Sequence, residues 1–330
     1  MQGGSLKANV HTQLRPRRGS RAQRRELAVF FAFISPWLLG FILVTMLPLL
    51  WGLYLSLTNF TGLSFTHLKF VGMANYLRAL DDPEVWNGLL HTAVVTLVSV
   101  PLSLIGGFAL AVLLNQKLRG QKIFRTLFYL PSIVPAVGLV VIWQTIYNRN
   151  SGLLNALIDL VHKGTVINWI SDYANLALIV MLLWGIGGGM IIYLAALQGV
   201  PQELKEAGSI DGATSWQGFR HITIPLVTPV LFFQLIMGII NALQLLVPAM
   251  LLTSIAGGAT WAREQFPIPT ANRLYMVHLF EQTFNYQRFG YGLALAWILF
   301  VIIFIFSLLM LKSGQFWVHY EVDVEGRRGA

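Results

Sequence analysis

The chain has 330 residues, of which 55% are hydrophobic and only 11% are charged. A soluble domain has about 25% charged residues, so this composition excludes an ordinary soluble protein and predicts a polytopic membrane protein. The formal charge of +9 comes mostly from basic residues at the ends of apolar runs, so we expect no nucleic-acid partner. The absence of cysteine excludes disulfides, thiolate nucleophiles and Cys-ligated metal sites.

The first 27 residues form a basic tail that carries seven Lys or Arg residues and precedes a long apolar run. A secretory signal peptide has the same order of regions, but this run is too long, and its end near Met46-Leu47-Pro48 lacks a small-residue cleavage site. We therefore predict a retained first membrane span. The tail is predicted to be cytoplasmic and to lie on anionic lipid.

Six apolar segments are long enough to cross a bilayer, which takes about 20 helical residues. They contain Pro and Gly, which bundled membrane helices tolerate because neighbouring groups satisfy the freed backbone. The fold class is therefore predicted to be all-α, a polytopic membrane protein with six transmembrane helices. The predicted spans are residues 28–50, 89–114, 123–146, 175–198, 224–250 and 290–311.

The distribution of Lys and Arg predicts the orientation of these spans, because cytoplasmic loops carry an excess of both. With the N-terminus inside, sixteen of the 23 Lys and Arg residues lie on the inner side. We therefore predict that both termini are cytoplasmic, including the tail at 313–330. The same arrangement places the loop at 201–225, between the fourth and fifth spans, in the cytoplasm.

Missing chemical groups narrow the function. No Asp or Glu lies inside any predicted span, although buried carboxylates are the usual carriers in ion-coupled transport. His91 lies near the outer end of a span and is interpreted as an interfacial residue. The chain has no G-x-x-x-x-G-K-[ST] phosphate loop and no hydrolase or metalloprotease motif, so an enzyme is the weakest interpretation. If ATP supplies the energy, another subunit must bind it.

A polar, glycine-punctuated segment runs from 206 to 229, between two apolar spans. Asp211-Gly212 indicates a turn, because Gly adopts positive φ without steric cost, and Thr214 or Ser215 can cap a second helix. The segment therefore predicts a short helical hairpin, and its composition alone fits either an amphipathic connector or a docking element. Three small residues would let such a hairpin enter a partner's groove: Ala207, Gly208 and Ala213.

The segment resembles the EAA loop of permease subunits in binding-protein-dependent ABC importers, whose pattern is E-A-A, three residues, Gly, nine residues, I-x-L-P. This chain departs from it mildly, with Gly208 in place of Ala and Ile224 in place of Leu. The resemblance implies that the loop couples the chain to an ATPase. The residues to which it assigns this role are Glu206, Ala207, Gly208, Asp211, Gly212, Ala213, Ile222 and Pro225.

Other segments also resemble this family, over about residues 28–312, which we predict to be one six-span permease domain. Residues 67–80, HLKFVGMANYLRAL, are similar to the F-V-G-x-x-N-Y segment of sugar-importer permeases. The likeness favours the first permease of glycerol-phosphate-, lactose- or arabinose-type systems, related to the maltose permease. Two places depart from the family: His91-Thr92 replaces a common Asn-Thr pair, and Thr253 to Ala259 lacks the T-x-G-G-P form.

The resemblance implies a type I ABC importer permease fold in the inner membrane of a bacterium or archaeon. It also implies partners: a second homologous permease, two copies of an ATPase subunit that bind ATP and Mg, and an extracytoplasmic solute-binding protein. The chain itself is expected to bind no cofactor or metal and to catalyse no reaction. Transport would proceed by alternating access, driven by the ATPase subunits.

A sugar, oligosaccharide or polyol is the expected substrate, and it requires amides and aromatic faces in a cavity between helices. Each candidate residue has a competing role as interhelical contact or as interfacial anchor. Asn241 and Gln244 are three residues apart and are predicted to share a helix face. The candidates are Gln244, Asn241, Gln234, Trp184, Tyr193 and Trp297.

Three alternatives remain. A permease of the same architecture can carry another solute class, such as amino acids or phosphonate, but the outer-loop and fourth-span segments favour carbohydrates. A secondary transporter or channel would be supported by carboxylates in the spans, which this sequence lacks. The third is a membrane scaffold that only binds other proteins. Mutation of Gly212 tests it, by whether transport is abolished while assembly persists.

Overall fold

The computed structural model describes residues 21–62, 64–66, 68–116, 119–254 and 273–319. Within these ranges the chain is helical, and an isolated bridge between Thr58 and Phe70 is the one β feature. The all-α prediction is confirmed. Residues 1–20 and 320–330 of the predicted tails, and most of the departure between Thr253 and Ala259, lie outside the described residues.

The α-helices are short where loops fold back and long where the apolar runs lie. A 3₁₀ turn at Leu130–Ile133 and π-helical segments at Phe41–Met46, Phe219–Thr223 and Glu281–Asn285 interrupt or join them. In chain order they are α1 Arg21–Gly40, α2 Leu47–Ser56, α3 Ala74–Asp81, α4 Pro83–Leu114, α5 Gln121–Tyr129, α6 Ala136–Ile146, α7 Leu153–Val161, α8 Trp169–Asp172, α9 Ala174–Leu183, α10 Gly187–Gly199, α11 Gln202–Ile210, α12 Ser215–Gly218, α13 Ile224–Leu243, α14 Val247–Ser254, α15 Tyr275–Phe280 and α16 Phe289–Trp317.

Among the described residues, four continuous helices are long and apolar enough to cross a membrane. Two further pairs reach that length as bent spans, with α5 and α6 bent by 97° and α9 and α10 by 43°. Counting each pair as one span agrees with the six-span prediction. The first bend lies at Pro135, whose extended backbone (ψ 144°) ends the preceding turn before α6 begins.

The chain divides into two compact units, residues 1–54 and 55–330. The first unit contains a single long helix, in which the apolar side chains are exposed and Trp37 stacks on Phe41 with ring centroids 5.6 Å apart. The second unit contains the packed helices, the hairpin predicted from the sequence, and the sites described below.

Helix α4 is the central element of the second unit and contacts α9, α10, α13 and α15. It begins at a strong start signal: Asp82 accepts a hydrogen bond from the Glu84 amide at 3.0 Å, and Pro83 occupies the first helical position. Close packing against α15 requires Gly88, since a Cβ there would lie 3.1 Å from the Tyr275 Cα. At the other end, the Arg125 guanidinium donates to the Leu114 carbonyl at 3.3 Å.

The F-V-G-x-x-N-Y segment closes the turn between α2 and α3. The Asn75 side-chain amide donates to the Ser56 carbonyl at 2.8 Å and to the Thr58 carbonyl at 2.9 Å. The Tyr76 hydroxyl lies 2.7 Å from the Ser56 hydroxyl. These bonds satisfy backbone carbonyls at the end of α2, so the Asn and Tyr of this segment have a structural role.

The bend between α9 and α10 generates the first prediction. Gly187 begins α10 against the backbone of α5, and a Cβ at this position would overlap the Phe128 carbonyl oxygen. We expect Gly187→Ala to lower the thermal midpoint of the purified protein in detergent, because overpacking against backbone costs about 1–3 kcal/mol. Gly199→Ala is the matched control at the other end of α10, where a Cβ would meet no atom within 4 Å. Equal midpoints for both variants would contradict the close packing at Gly187.

Candidate functional site

The predicted hairpin is formed by α11 and α12. Helix α11 ends in a Schellman motif, in which the Ala213 amide donates to the Gly208 carbonyl at 2.9 Å and the Gly212 amide donates to Ser209 at 3.1 Å. Gly212 has φ +81°, the left-handed conformation that glycine adopts most easily. The predicted turn at Asp211-Gly212 is therefore present, and its geometry explains why glycine occupies this position.

Helix α12 begins with a capping box. The Thr214 hydroxyl accepts from the Gln217 amide at 3.3 Å, while the Gln217 side-chain oxygen accepts from the Thr214 amide at 2.8 Å. The helix continues through the π-helical segment into α13, so residues Ser215–Leu243 form one continuous helix. Pro225 lies in the first turn of α13, just after the π-helical segment Phe219–Thr223.

The small residues of the hairpin differ in their surroundings. Gly208 packs against Ile222, since a Cβ at Gly208 would lie 2.8 Å from the Ile222 Cδ1. Ala207 is exposed and Ala213 is half-buried. Close packing between α11 and the segment that leads into α13 therefore accounts for Gly208, and Ala207 is the small residue on the outward surface.

The outward surface of the hairpin combines carboxylates with exposed apolar side chains. Glu206 and Asp211 are exposed, and the Gln202 amide donates to the Glu206 carboxylate at 3.3 Å. Ile210 is 87% exposed and Trp216 is 65% exposed, on either side of the turn. Sequence analysis missed both apolar residues, although a signal was present: each interrupts a polar loop next to the Asp211-Gly212 turn.

A second site is a cavity of about 290 Å³ between α4, α10 and α13. Three of the predicted substrate candidates line it: Tyr193, Gln234 and Asn241. Two residues that the sequence analysis did not single out, Ser99 and Ser103 of α4, also line it. All of the lining residues are uncharged.

Tyr193 joins the core to this cavity. Its ring packs edge-on against Phe108 at 6.0 Å between centroids and is buried. Gly107 of α4 makes room for the ring, because a Cβ there would lie 3.0 Å from the Tyr193 Cε2. The Tyr193 side chain also has Gln234 as a hydrogen-bond partner. The tyrosine therefore has the structural role that the sequence left open, and it also borders the cavity.

The structure does not bring the other three candidates to the cavity wall, as far as the described residues define it. Gln244 follows the end of α13 at Leu243, so it does not continue the helix face of Asn241. Trp184 lies at the bend between α9 and α10, edge-on to Trp143 at 5.9 Å. Trp297 packs on Phe300, 5.2 Å away and also on α16.

A third cluster of polar residues joins the start of α4 to α15 and α16. Arg273 pairs with Glu84 at 3.0 Å and with Glu281 at 3.4 Å. Asp82, the cap of α4, accepts from the Tyr291 hydroxyl at 2.9 Å and lies 3.5 Å from the His278 Nε2. We call these residues the polar network. Sequence analysis missed it, although the Asp82-Pro83-Glu84 start signal was visible.

Burial shifts the protonation of the polar network. The pKa of His278 is lowered by burial, against the opposing effect of Asp82. The pKa of Glu281 is raised by burial, which Arg273 partly offsets. Burial acts to lower the pKa of Arg273, but its hydrogen bond to Glu84 and the charge of Glu281 raise it overall.

With this geometry established, comparison with known proteins identifies the family. The family model "Binding-protein-dependent transport system inner membrane component" matches residues 100–313. The chain belongs to this family. It is therefore an inner-membrane permease component of an ABC transporter, as the resemblance of the EAA-like loop implied.

Individual relatives agree with the family match. The permease is 37% identical over 312 residues to the probable ABC transporter permease protein YesP of Bacillus subtilis, covering 93% of this chain and 96% of the relative. It is 31% identical to the trehalose/maltose transport system permease protein MalF of Thermococcus litoralis, covering 90% and 97%. A chain of the bacterial alginate ABC transporter, solved in complex with an alginate-bound periplasmic protein, shares the fold with a TM-score of 0.74 at 16% identity, covering 89% and 96%.

The polar network generates a prediction of pH dependence. Because the pKa of His278 is lowered in the folded permease, the unfolded chain binds the proton more readily. We therefore expect stability to fall as the pH drops below about 6.5, the ordinary value for histidine. Thermal melts of wild type and His278→Gln in detergent between pH 7.5 and 5.5 test this.

The variant removes the titrating group, so its midpoint is expected to fall less on acidification than that of wild type. Glu281 has the opposite effect on stability. Its pKa is raised in the folded permease, so the folded state binds the proton more readily than the unfolded chain does, and acidification favours folding. Glu281→Gln is therefore the companion variant. Parallel pH curves for wild type and His278→Gln would contradict the lowered pKa.

Proposed function

We propose that the permease forms half of the translocation pathway of an importer for a sugar, oligosaccharide or polyol, and that it couples to ATPase subunits through the 201–225 loop. One observation carries the proposal: the continuous helix Ser215–Leu243 contains part of the exposed hairpin at one end and Gln234 and Asn241 of the cavity towards the other. A helix rises about 1.5 Å per residue, so Trp216 and Gln234 are about 27 Å apart along it.

This continuous helix suggests how ATP would drive transport. ATP and Mg would bind to two partner ATPase subunits, whose closure would draw together the hairpins of this permease and of a second homologous permease. Movement of the hairpin would reorient α13 and with it the wall of the cavity. An extracytoplasmic binding protein would deliver the solute. In energetic terms, ATP and the loaded binding protein shift the population of inward-facing and outward-facing states.

The chemistry of the cavity supports an uncharged solute. Its polar groups are hydroxyls and amides, which suit the hydroxyl groups of a carbohydrate. Relatives named for trehalose and maltose, for lactose and for starch degradation products support the same class. A same-fold permease for another solute is the second candidate, but a phosphonate would require basic groups, and none of the described residues that line the cavity is basic.

The proposal places both termini and the hairpin in the cytoplasm, with the basic tail on anionic lipid. It places the polar network at the outer end of α4, opposite the hairpin. The Lys and Arg asymmetry supports this orientation, and the absence of carboxylates within the spans argues against an ion-coupled carrier.

The first test changes the charge on the hairpin. Glu206→Lys reverses an exposed carboxylate on α11, and we expect it to abolish solute-stimulated ATPase activity while membrane insertion persists. Asp172→Lys is the matched control, an exposed carboxylate at the end of α8. ATPase activity of the reconstituted complex and permease abundance in membranes are the two measurements. Full stimulation in the Glu206 variant would remove this residue from the coupling surface.

The second test changes the backbone of the turn. Gly212→Pro is incompatible with φ +81°, because proline fixes φ near −65°, and we expect it to uncouple the ATPase without preventing membrane insertion. Gly164→Pro is the matched control: Gly164 has φ +82°, an equally open environment and, like Gly212, a hydrogen-bonded amide. If both variants lose coupling equally, general misfolding rather than the hairpin is responsible.

The third test identifies the partners. Gentle extraction of the permease from its own membrane at native expression is expected to co-elute an ATPase subunit and a second six-span protein. A lone chain or a simple homo-oligomer would overturn the proposed assembly.

A further inference from the structure

The four hydroxyl-bearing residues of α4 lie along one face of the helix. Thr92, Thr96, Ser99 and Ser103 are separated by four, three and four residues, the spacing of one helical face. Their environments differ along the helix. Thr92 has a structural role, because its hydroxyl donates to the Gly88 carbonyl at 2.7 Å and accepts from the Tyr275 amide at 3.0 Å.

The two serines have no such role. Ser99 is 5% exposed and Ser103 is partly buried, and both line the cavity between α4, α10 and α13. Neither hydroxyl is hydrogen-bonded to any residue in the described part of the chain. A serine in a helix can bond the carbonyl four residues earlier, as Thr92 does. Because both serines line the cavity, their hydroxyls leave hydrogen-bonding capacity for an occupant.

The wall formed by α13 has complementary groups. Gln234 and Asn241 are seven residues apart, on one face of the helix, and both line the same cavity. Helices α4 and α13 approach closely beside them, because a Cβ on Gly238 would lie 3.0 Å from the Val100 Cγ1. The cavity therefore presents hydroxyls on one helix and amides on another, without a charged group.

We propose that Ser99 and Ser103 of α4 form a wall of the solute path, together with Gln234 and Asn241, for an uncharged, hydroxyl-rich solute. The inference rests on the proposed importer function and adds a second helix to the path. Hydroxyls and amides can each donate and accept, as the hydroxyl groups of such a solute require. A charged solute would be left without a counter-ion there.

The absence of cysteine allows a direct test. Ser99→Cys and Ser103→Cys would each introduce a unique thiol into this permease, in the assembled transporter with its ATPase in proteoliposomes. The probes are a cationic and an anionic methanethiosulfonate, MTSET and MTSES, which do not enter lipid. Thr96→Cys is the matched control: it lies on the same face of α4, its hydroxyl oxygen is buried, and it does not line the cavity.

We expect both serine variants to react at least about tenfold faster than Thr96→Cys, because only accessible thiolates are labelled. After correction for intrinsic reactivity, the rates of the two probes should agree within about threefold, since no lining residue attracts one charge. ATP should change the labelling rate of both serine variants, because a solute path alternates its access. A static crevice would not respond to ATP.

Unreactive thiols at both serines, with and without ATP, would overturn the proposal. Labelling that does not respond to ATP, in a preparation with an active ATPase, would also overturn it. A strong preference for one probe would overturn the inference of an uncharged solute. Failure of the importer proposal would be distinguishable, because no ATPase would co-elute, whereas labelling would still report access to the cavity.

Discussion

The rest of this structure depends on how closely its helices pack against α4. Within a membrane the hydrophobic effect does not drive helices together, so contact between backbones and interhelical hydrogen bonds must stabilise the bundle. Gly88 lets α15 approach, Gly107 makes room for the ring of Tyr193 on α10, and Gly238 of α13 lets Val100 approach. These three contacts hold α4 at the centre of the second unit. They also determine which side chains border the cavity.

The two ends of this packed unit differ in chemistry. Asp82 caps α4 and also accepts from Tyr291 beside His278, so one carboxylate joins the start of α4 to α15 and α16. At the hairpin, by contrast, Ile210 and Trp216 are exposed. One end is therefore joined by polar contacts within the chain, whereas the other exposes apolar side chains.

Between these ends, one continuous helix joins part of the hairpin to the cavity wall. The helix stays continuous through the π-helical segment before Pro225, so α12 and α13 form one element. The bent pairs behave differently. Pro135 and the segment before Gly187 break the third and fourth spans, and the broken ends pack against each other where α10 meets the backbone at Phe128. The continuity of one span and the bends in two others follow from these local backbone features.

The sequence by itself determined the features that depend on local order. Apolar length predicted the spans, Asp211-Gly212 predicted the turn with its positive φ, and Thr214 was one of two predicted caps of the second helix. Each is specified by residues within a few positions of one another. The sequence also indicated the family, through the EAA-like loop.

Only the tertiary structure decided which side chains meet. Arg273 and Glu84 are 189 residues apart, and their pairing depends on how α4 lies against the segment before α15. The same holds for the cavity: Tyr193, Gln234 and Asn241 reach it, while Gln244, Trp184 and Trp297 do not. Residue type and depth selected all six in the sequence, but neither specifies the direction in which a helix faces its neighbours. That direction is set by the close packing around α4.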